Sequence, residues 1–175
     1  PVADRAVFHL DNAYCLENIE VDSYRCKTNL QSMTAFRGFG GPQGMVLIET
    51  VMGEIARHLQ KDPLEVRFQN VYDSAEDSSP SRPRSLTHYG MQVEDNIAPA
   101  LMKTLAKNAQ YSQRRQAIDD FNRHSQTLKK GLALTPVKFG ISFTATFMNQ
   151  AGALVNVYSN GSVQVNHGGT EMGQG

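Results

Sequence analysis

Cysteine is scarce in this sequence, which contains only Cys15 and Cys26 among 175 residues. Two thiols cannot supply the four thiolates of an iron–sulfur cluster, and their spacing matches no zinc site. We therefore expect two reduced, structural cysteines and a cytoplasmic protein.

No charge of either sign predominates, and apolar runs are short. Seventeen basic residues balance seventeen acidic ones, which removes the electrostatic argument for binding nucleic acid or an anionic membrane. No apolar run approaches the ~20 residues that a membrane-spanning helix needs. The hydrophobic content of 40% and the mean hydropathy of −0.40 lie on the low side for a globular protein, and the length allows one large domain or two small ones.

Glycine, in contrast, is concentrated in two stretches, of which the first is TAFRGFGGPQ at residues 34–43. Glycine allows positive φ and close approach to a ligand. A loop that leads into a helix leaves main-chain N–H groups for an anion. Arg37 adds a fixed charge with forked donors, and Phe36 and Phe39 offer flat apolar faces. For this stretch alone, a turn before a core helix with ordinarily packed phenylalanines is an equally good interpretation.

Helical periodicity follows this stretch and continues to about residue 124. In residues 45–59 it places Glu49, Glu54 and Arg57 away from the core and predicts an apolar stripe formed by Ile48, Val51, Met52, Ile55 and Leu59.

The next two helical segments have start signals of their own. Asp62-Pro63 predicts a capped helix start, in which the Asp62 carboxylate accepts from the N–H of Glu65. The predicted buried face of this helix consists of Leu64, Phe68 and Val71. Another helix is expected to begin near Asp95 with Pro99 in its first turn. Its predicted apolar stripe is Ile97, Leu101 and Leu105.

Strand patterns occur at both ends of the chain. They predict strands at 6–10 and 19–24, and again at 132–137 and 140–146. Four valines flank Asn160-Gly161, a strong hairpin signal. We therefore predict an α+β protein with a helix-rich part, residues 1–127, and a β-rich part, residues 130–175.

The second glycine stretch, HGGTEMGQG at residues 167–175, completes a set of motifs that resembles a known family. The others are RAVFHLDN at 5–12, CKTN at 26–29, the first glycine stretch, FGISFT at 139–144 and NQAGA at 149–153. In this order they resemble the molybdopterin-binding part of the xanthine dehydrogenase and xanthine oxidase family. The resemblance implies that residues 1–127 are part of a first molybdopterin-binding subdomain and that residues 130–175 begin a second.

The resemblance also implies a chemistry. Members of the family hydroxylate an electron-poor carbon at a molybdenum ion held by a pterin dithiolene, with oxygen from water, and pass electrons through 2Fe-2S clusters to FAD. The expected reaction is oxidation of hypoxanthine and xanthine to urate. The general base and the redox domains match nothing in this chain. We therefore expect a catalytically incomplete fragment of an oligomeric enzyme, joined to further molybdenum-domain, iron–sulfur and flavin domains or subunits.

Residue roles follow from the same resemblance. Arg5 resembles the arginine that stabilises negative charge developing on the heterocycle, so it is expected to be both substrate-binding and catalytic. Phe39 is similar to the ring that stacks on the purine, Phe143 to the ring that meets its edge, and Thr144 to the threonine that bonds a substrate carbonyl. Without the resemblance, Arg5 is an ordinary surface arginine and the rings are core residues.

The expected cofactor-binding residues come from both glycine stretches. They are Phe36, Arg37, Gly38, Met172, Gly173 and Gln174, and Arg37 is expected beside the molybdenum, contributing mainly through its main chain. Two alternatives stay open: an aldehyde oxidase or N-heterocycle hydroxylase of the same family, and a non-catalytic domain that only binds or scaffolds. An arginine at position 5 favours a purine substrate.

Overall fold

The first residues of the chain form a helix, and the described residues divide into two units, Pro1–Phe139 and Gly140–Gly175. A computed structural model describes residues 2–31, 36–74, 84–140, 146–148, 150–171 and 173. The first unit contains α1 (Val2–Phe8), α2 (Gly41–His58), α3 (Pro63–Asn70), α4 (Ala98–Asn108) and α5 (Tyr111–His124). The second contains a 3-10 turn (Thr146–Met148), β1 (Ala153–Val157) and β2 (Val163–His167). The predicted α+β class is confirmed, and no helix in the described ranges has the length and apolar character needed to cross a bilayer.

Helix α1 replaces the strand predicted at 6–10, so that prediction is wrong. A strand requires a neighbouring strand for its backbone groups, and the bridge nearest this segment instead joins Tyr14 to Val71. The α1 backbone satisfies itself, with the N–H of His9 donating to the carbonyl oxygen of Arg5 at 3.2 Å. The predicted strands at 19–24 and 132–137 also have no regular structure. Most of the strand predicted at 140–146 lies outside the described residues.

Glycines at the start of α2 allow α1 to lie directly against it. A Cβ on Gly40 would stand 2.0 Å from the carbonyl oxygen of Val2, and one on Gly44 would stand 2.2 Å from that of Ala6. Gly40, at φ 110°, also provides the left-handed turn that precedes the helix. The two helices therefore meet backbone to backbone.

The buried face of α2 is narrower than predicted. Ile48, Met52 and Ala56 are buried at a spacing of four residues, which confirms part of the expected stripe. The other expected members, Val51, Ile55 and Leu59, are exposed. The core of the first unit is formed by Tyr14, Ile48, Met52, Ala56, Leu64, Val66, Val71, Met102, Tyr111 and Leu134. Fully burying a large apolar side chain contributes about 1.5–3 kcal/mol, so this cluster is the main source of stability.

Asp62 caps α3 and joins it to α5. Its carboxylate accepts from the N–H of Leu64 at 2.8 Å, not from Glu65 as predicted. It also accepts from the Tyr111 hydroxyl and from Nε of Arg115, both at 3.1 Å. Burial raises the pKa of Tyr111 to about 12, and the Asp62 carboxylate acts in the same direction. Glu65 bonds instead to the Lys61 ammonium at 2.9 Å.

Helix α4 buries a different face from the one predicted. Pro99 lies in its first turn, as expected, and is buried together with Met102. The predicted stripe of Ile97, Leu101 and Leu105 is exposed, so that prediction is wrong. The i, i+4 spacing of the three residues gives an apolar face, but spacing alone does not say which apolar face meets the core.

The hairpin predicted around Asn160-Gly161 is confirmed. Strands β1 and β2 pair antiparallel, with Val155 opposite Val165 and Val157 opposite Val163. The N–H of Tyr158 donates to the carbonyl oxygen of Ser162 at 2.9 Å. Gly161 alone has positive φ in this turn, 84°. The connection is therefore a three-residue loop that requires one left-handed residue.

The contact between α1 and α2 generates a stability prediction. Gly44→Ala places a methyl group against the Ala6 carbonyl oxygen, and we expect a loss of about 1–3 kcal/mol, as for other overpacked sites. The control is Gly53→Ala on the same helix, where a Cβ meets nothing within 4 Å and should stabilise by about 0.5–1 kcal/mol. Native-state hydrogen exchange of α2 amides in the full-length protein measures both effects. Equal protection in the two variants would contradict the described packing.

Candidate functional site

The first glycine stretch forms a tight loop in front of α2. Gly38, Phe39 and Gly40 have φ values of 86°, 49° and 110°. Two main-chain bonds close the turns: Phe39 N–H to the Phe36 carbonyl oxygen at 2.7 Å, and Gly41 N–H to that of Gly38 at 2.9 Å. A phenylalanine at positive φ is uncommon and costs on the order of 1–3 kcal/mol. The two main-chain bonds therefore hold Phe39 in a conformation that it would not adopt by itself.

The loop presents two of the expected cofactor-binding residues to solvent. Phe36 is 82% exposed, and Arg37 is exposed as well. Phe39 is only half-buried, so it is not the core residue that its side chain alone would suggest. The loop thus offers a cation, an exposed ring and a half-exposed ring on one short segment.

Arg5 lies next to this loop, because Phe139 contacts both. The guanidinium carbon of Arg5 stands 5.0 Å from the centre of the Phe139 ring. The same ring approaches the loop so closely that a Cβ on Gly41 would lie 2.5 Å from its Cε2, and one on Gly38 would lie 3.9 Å away. Arg5 and the first glycine stretch, which are far apart in sequence, are therefore brought together.

His9 completes the surroundings of Phe139. The two rings lie 5.0 Å apart at 34°, and Nδ1 of His9 is 2.9 Å from the carbonyl oxygen of Arg5. Burial lowers the pKa of His9, and the neighbouring Arg5 and Lys138 cations lower it further. The hydrogen bond to the Arg5 carbonyl oxygen raises the same pKa. A neutral imidazole with its proton on Nδ1 fits this position, since it donates to the carbonyl.

A polar cluster holds the segment that leads to Phe139. It consists of the buried Asp11, Asn12 and Tyr72 and the half-buried Lys138. The Asn12 side chain donates to the Pro136 carbonyl oxygen at 2.9 Å and accepts from the N–H of Lys138 at 3.0 Å. Asp11 accepts from the Tyr72 hydroxyl at 2.7 Å and forms an ion pair with the Lys138 ammonium. Burial raises the pKa of Tyr72, and so does its bond to Asp11. Phe139 therefore follows directly on a firmly bound stretch of chain.

Glu49 connects this cluster to the helices. Its carboxylate accepts from the Tyr14 hydroxyl at 2.6 Å, from Nδ2 of Asn12 at 2.9 Å and from Nε of Arg67 at 2.7 Å. Arg67 is buried at 5% exposure. The helical pattern placed Glu49 on the solvent face, and that prediction is wrong because three buried donors surround it. Burial raises the pKa of Tyr14, and its bond to Glu49 adds to the effect.

Of the remaining predicted site residues, the structure describes only Gly173. Gly173 belongs to the second unit, is exposed and has φ 100°, and its N–H donates to the Glu171 carboxylate. Four others lie outside the described residues: Phe143, Thr144, Met172 and Gln174. The substrate-binding and cofactor-binding roles of all these residues stay predictions.

The sequence patterns do not indicate that Phe139 and Glu49 belong to this arrangement. Phe139 is the first residue of the FGISFT motif, and nothing in its neighbourhood in sequence indicates a contact with residue 5. A usable signal was the pair Asp11-Asn12, because a buried carboxylate and amide need partners from distant segments. Such a pair after an apolar segment indicates a polar junction instead of a plain turn.

Other features of the described surface do not involve the predicted site. A cleft of about 700 Å³ between α3 and α5 is lined in part by Asp62, Tyr111 and Arg115, which are bonded to one another. None of the predicted site residues lines it. No group of three or more potential metal-ligating side chains occurs among the described residues. Cys15 is half-buried, Cys26 is exposed, and no disulfide joins them.

The Glu49 junction generates a second prediction. Glu49→Ala leaves the buried Arg67 guanidinium without its carboxylate, and we expect a loss of about 3–5 kcal/mol. The control is Glu54→Ala on the same helix, since Glu54 forms an exposed pair with Arg57 and its loss should cost about 0–1 kcal/mol. Hydrogen exchange of α2 and α3 amides in the full-length protein separates the two variants. A similar small loss for both would show that Glu49 is not a structural junction.

Comparison with known proteins gives one consistent result. A family model described as a molybdopterin cofactor-binding domain matches residues 1–71, and a second model with the same description matches residues 104–175. Xanthine dehydrogenase of Emericella nidulans is 44% identical over 174 residues. The xanthine dehydrogenase/oxidase proteins of Gallus gallus and Mus musculus are 45% and 47% identical over the same length. Each match covers 99% of this chain but only 12% of the relative.

Proposed function

This chain belongs to the molybdopterin cofactor-binding domain family, and we propose that it is the part of a xanthine-oxidising molybdenum hydroxylase that holds the substrate beside the cofactor. The proposed reaction is the conversion of hypoxanthine and xanthine to urate. Iron–sulfur and FAD domains or subunits would accept the electrons, within a cytoplasmic oligomer. The observation that carries the proposal is the placement of Arg5 beside the first glycine stretch, through Phe139.

The exposed loop at Phe36 to Gly38 fits a pterin cofactor. Arg37 is exposed and forms no ion pair with another described residue, so its charge is available to an anionic group. Phe36 adds a flat exposed face. In the second unit, the exposed Gly173 main chain at positive φ allows a close approach that a side chain would prevent. When bound, the molybdenum–pterin group supplies the oxygen transfer and the two-electron redox chemistry.

The described residues contribute binding and electrostatics. Arg5 would stabilise negative charge as it develops on the purine ring, which lowers the barrier more than it strengthens substrate binding. Phe39 would stack on the planar heterocycle, for which its half-exposed position is suited. Phe143 and Thr144, from the FGISFT motif at residues 139–144, would also contact the purine. The aldehyde oxidase alternative requires none of the charge stabilisation that Arg5 offers.

The role of Arg5 is tested by a substrate comparison in the full-length protein. Arg5→Met should lower kcat for xanthine by about 10²–10³-fold, the typical cost of removing a donor aimed at developing charge. Benzaldehyde, which develops no such charge on a ring nitrogen, should be affected far less. Arg25→Met is the control, because Arg25 forms an exposed pair with Asp4 of the same helix. Equal losses for both substrates would mean that Arg5 is structural.

The cofactor role of the second glycine stretch is tested by adding bulk at Gly173. Gly173→Val in the full-length protein should reduce molybdenum content while the circular dichroism stays normal. Gly161→Val is the control for backbone strain, since Gly161 has a similar positive φ of 84° in the exposed hairpin loop. Metal analysis of the two purified variants gives the result. Equal molybdenum content in both variants and in the wild type would show that Gly173 is not part of the cofactor site. Well-folded wild-type protein without molybdenum would favour the alternative of a non-catalytic binding domain.

A further inference from the structure

We propose that Phe139 is a positioning residue, whose ring holds the Arg5 guanidinium in the orientation from which Arg5 meets the purine. This inference rests on the proposed function of Arg5. It adds a residue to the site that the sequence motifs did not assign.

The geometry of the ring supports this role. The guanidinium carbon of Arg5 lies over the Phe139 ring at 5.0 Å from its centre, within the range of an attractive cation–π interaction. An arginine side chain has several rotatable bonds and loses much rotamer freedom when it is fixed. A ring held beside the guanidinium reduces the number of orientations that Arg5 can adopt before the substrate arrives.

Phe139 can act in this way because its own position is fixed by buried groups. Asn12, which is 1% exposed, binds the carbonyl oxygen of Pro136 and the N–H of Lys138. The Lys138 ammonium is bound to Asp11, which is fully buried. Two anchored residues, Pro136 and Lys138, therefore precede the ring and leave little freedom for its main chain.

On the side that faces α2, the Phe139 ring occupies space that is open only because residue 41 is a glycine. A Cβ on Gly41 would lie 2.5 Å from Cε2 and 3.1 Å from Cδ2 of Phe139. No positive φ is involved at Gly41, so the glycine is needed for space and not for backbone conformation. The ring thus rests against bare backbone on one side and close to His9 on another.

Packing alone is a poor account of Phe139. Its side chain remains 39% exposed, whereas a phenylalanine whose only role is to stabilise a core is normally buried. Several hydrogen bonds from buried side chains instead fix the segment before Phe139, and the ring of Phe139 contacts the Arg5 guanidinium. That contact is with the one described residue predicted to be catalytic.

The test uses the full-length protein and two substrates. Phe139→Leu should lower kcat/KM for xanthine by about three- to thirty-fold, as expected for a lost cation–π contact, and should leave benzaldehyde turnover and molybdenum content nearly unchanged. Phe139→Tyr, which keeps the ring face, should recover most of the xanthine activity. In the Arg5→Met background, Phe139→Leu should cause no further loss, because the residue that it positions is gone.

A second variant displaces the Phe139 ring without changing residue 139. Gly41→Ala inserts a methyl group where Phe139 now rests, and it should reduce xanthine turnover selectively. Gly53→Ala, on the same helix with open space around it, is the matched control and should oxidise xanthine at the wild-type rate. This pair keeps the test decisive even if Phe139→Leu does not fold.

The outcomes separate the two levels of the proposal. A wild-type protein that fails to oxidise xanthine overturns the proposed function. An Arg5→Met variant that affects both substrates equally shows that Arg5 is structural and removes the role on which this inference rests. The positioning role of Phe139 alone is overturned if Arg5→Met behaves as expected but Phe139→Leu affects both substrates equally, or if its effect adds fully to that of Arg5→Met.

Discussion

The first unit depends on the buried turn at Asp11-Asn12. These two side chains follow α1 and are almost fully buried, so every polar atom they carry must be matched by distant parts of the chain or remain a cost. Asn12 reaches both α2, through Glu49, and the segment around Lys138. Asp11 reaches Tyr72 beyond α3. One dipeptide therefore sets how the start, the middle and the end of the first unit are placed.

This arrangement explains why the candidate site is assembled from such separated residues. The apolar core holds the helices together, but apolar contacts tolerate sliding and repacking. Hydrogen bonds at fixed angles do not tolerate the same displacement. The polar junctions at Asn12 and Glu49 therefore determine where α1 and the segment ending in Phe139 lie relative to the first glycine stretch, and hence where Arg5 is presented.

Local signals in the sequence predicted the parts of the fold that have local causes. The long α2, the Asp62-Pro63 start of α3 and the Asn160-Gly161 hairpin all depend on residues close together in sequence, and all are confirmed. The errors arose where tertiary contacts decided the outcome. Residues 6–10 alternate like a strand, but residues 6–8 belong to α1, which packs against bare glycine backbone on α2. The apolar stripe of α4 points away from the core. The motifs named Arg5 and the glycine stretch, but only the structure brings them to the same ring.

The hairpin of the second unit has a consequence for how this region associates. Its valines are more than half exposed, and β1 and β2 pair only with each other among the described residues. Each strand thus keeps an outer row of main-chain donors and acceptors that could extend the sheet. A two-stranded ribbon with this composition is marginally stable by itself. A third strand paired to either edge would therefore stabilise the hairpin. Where no such strand covers the edge, the same edge is a template for self-association.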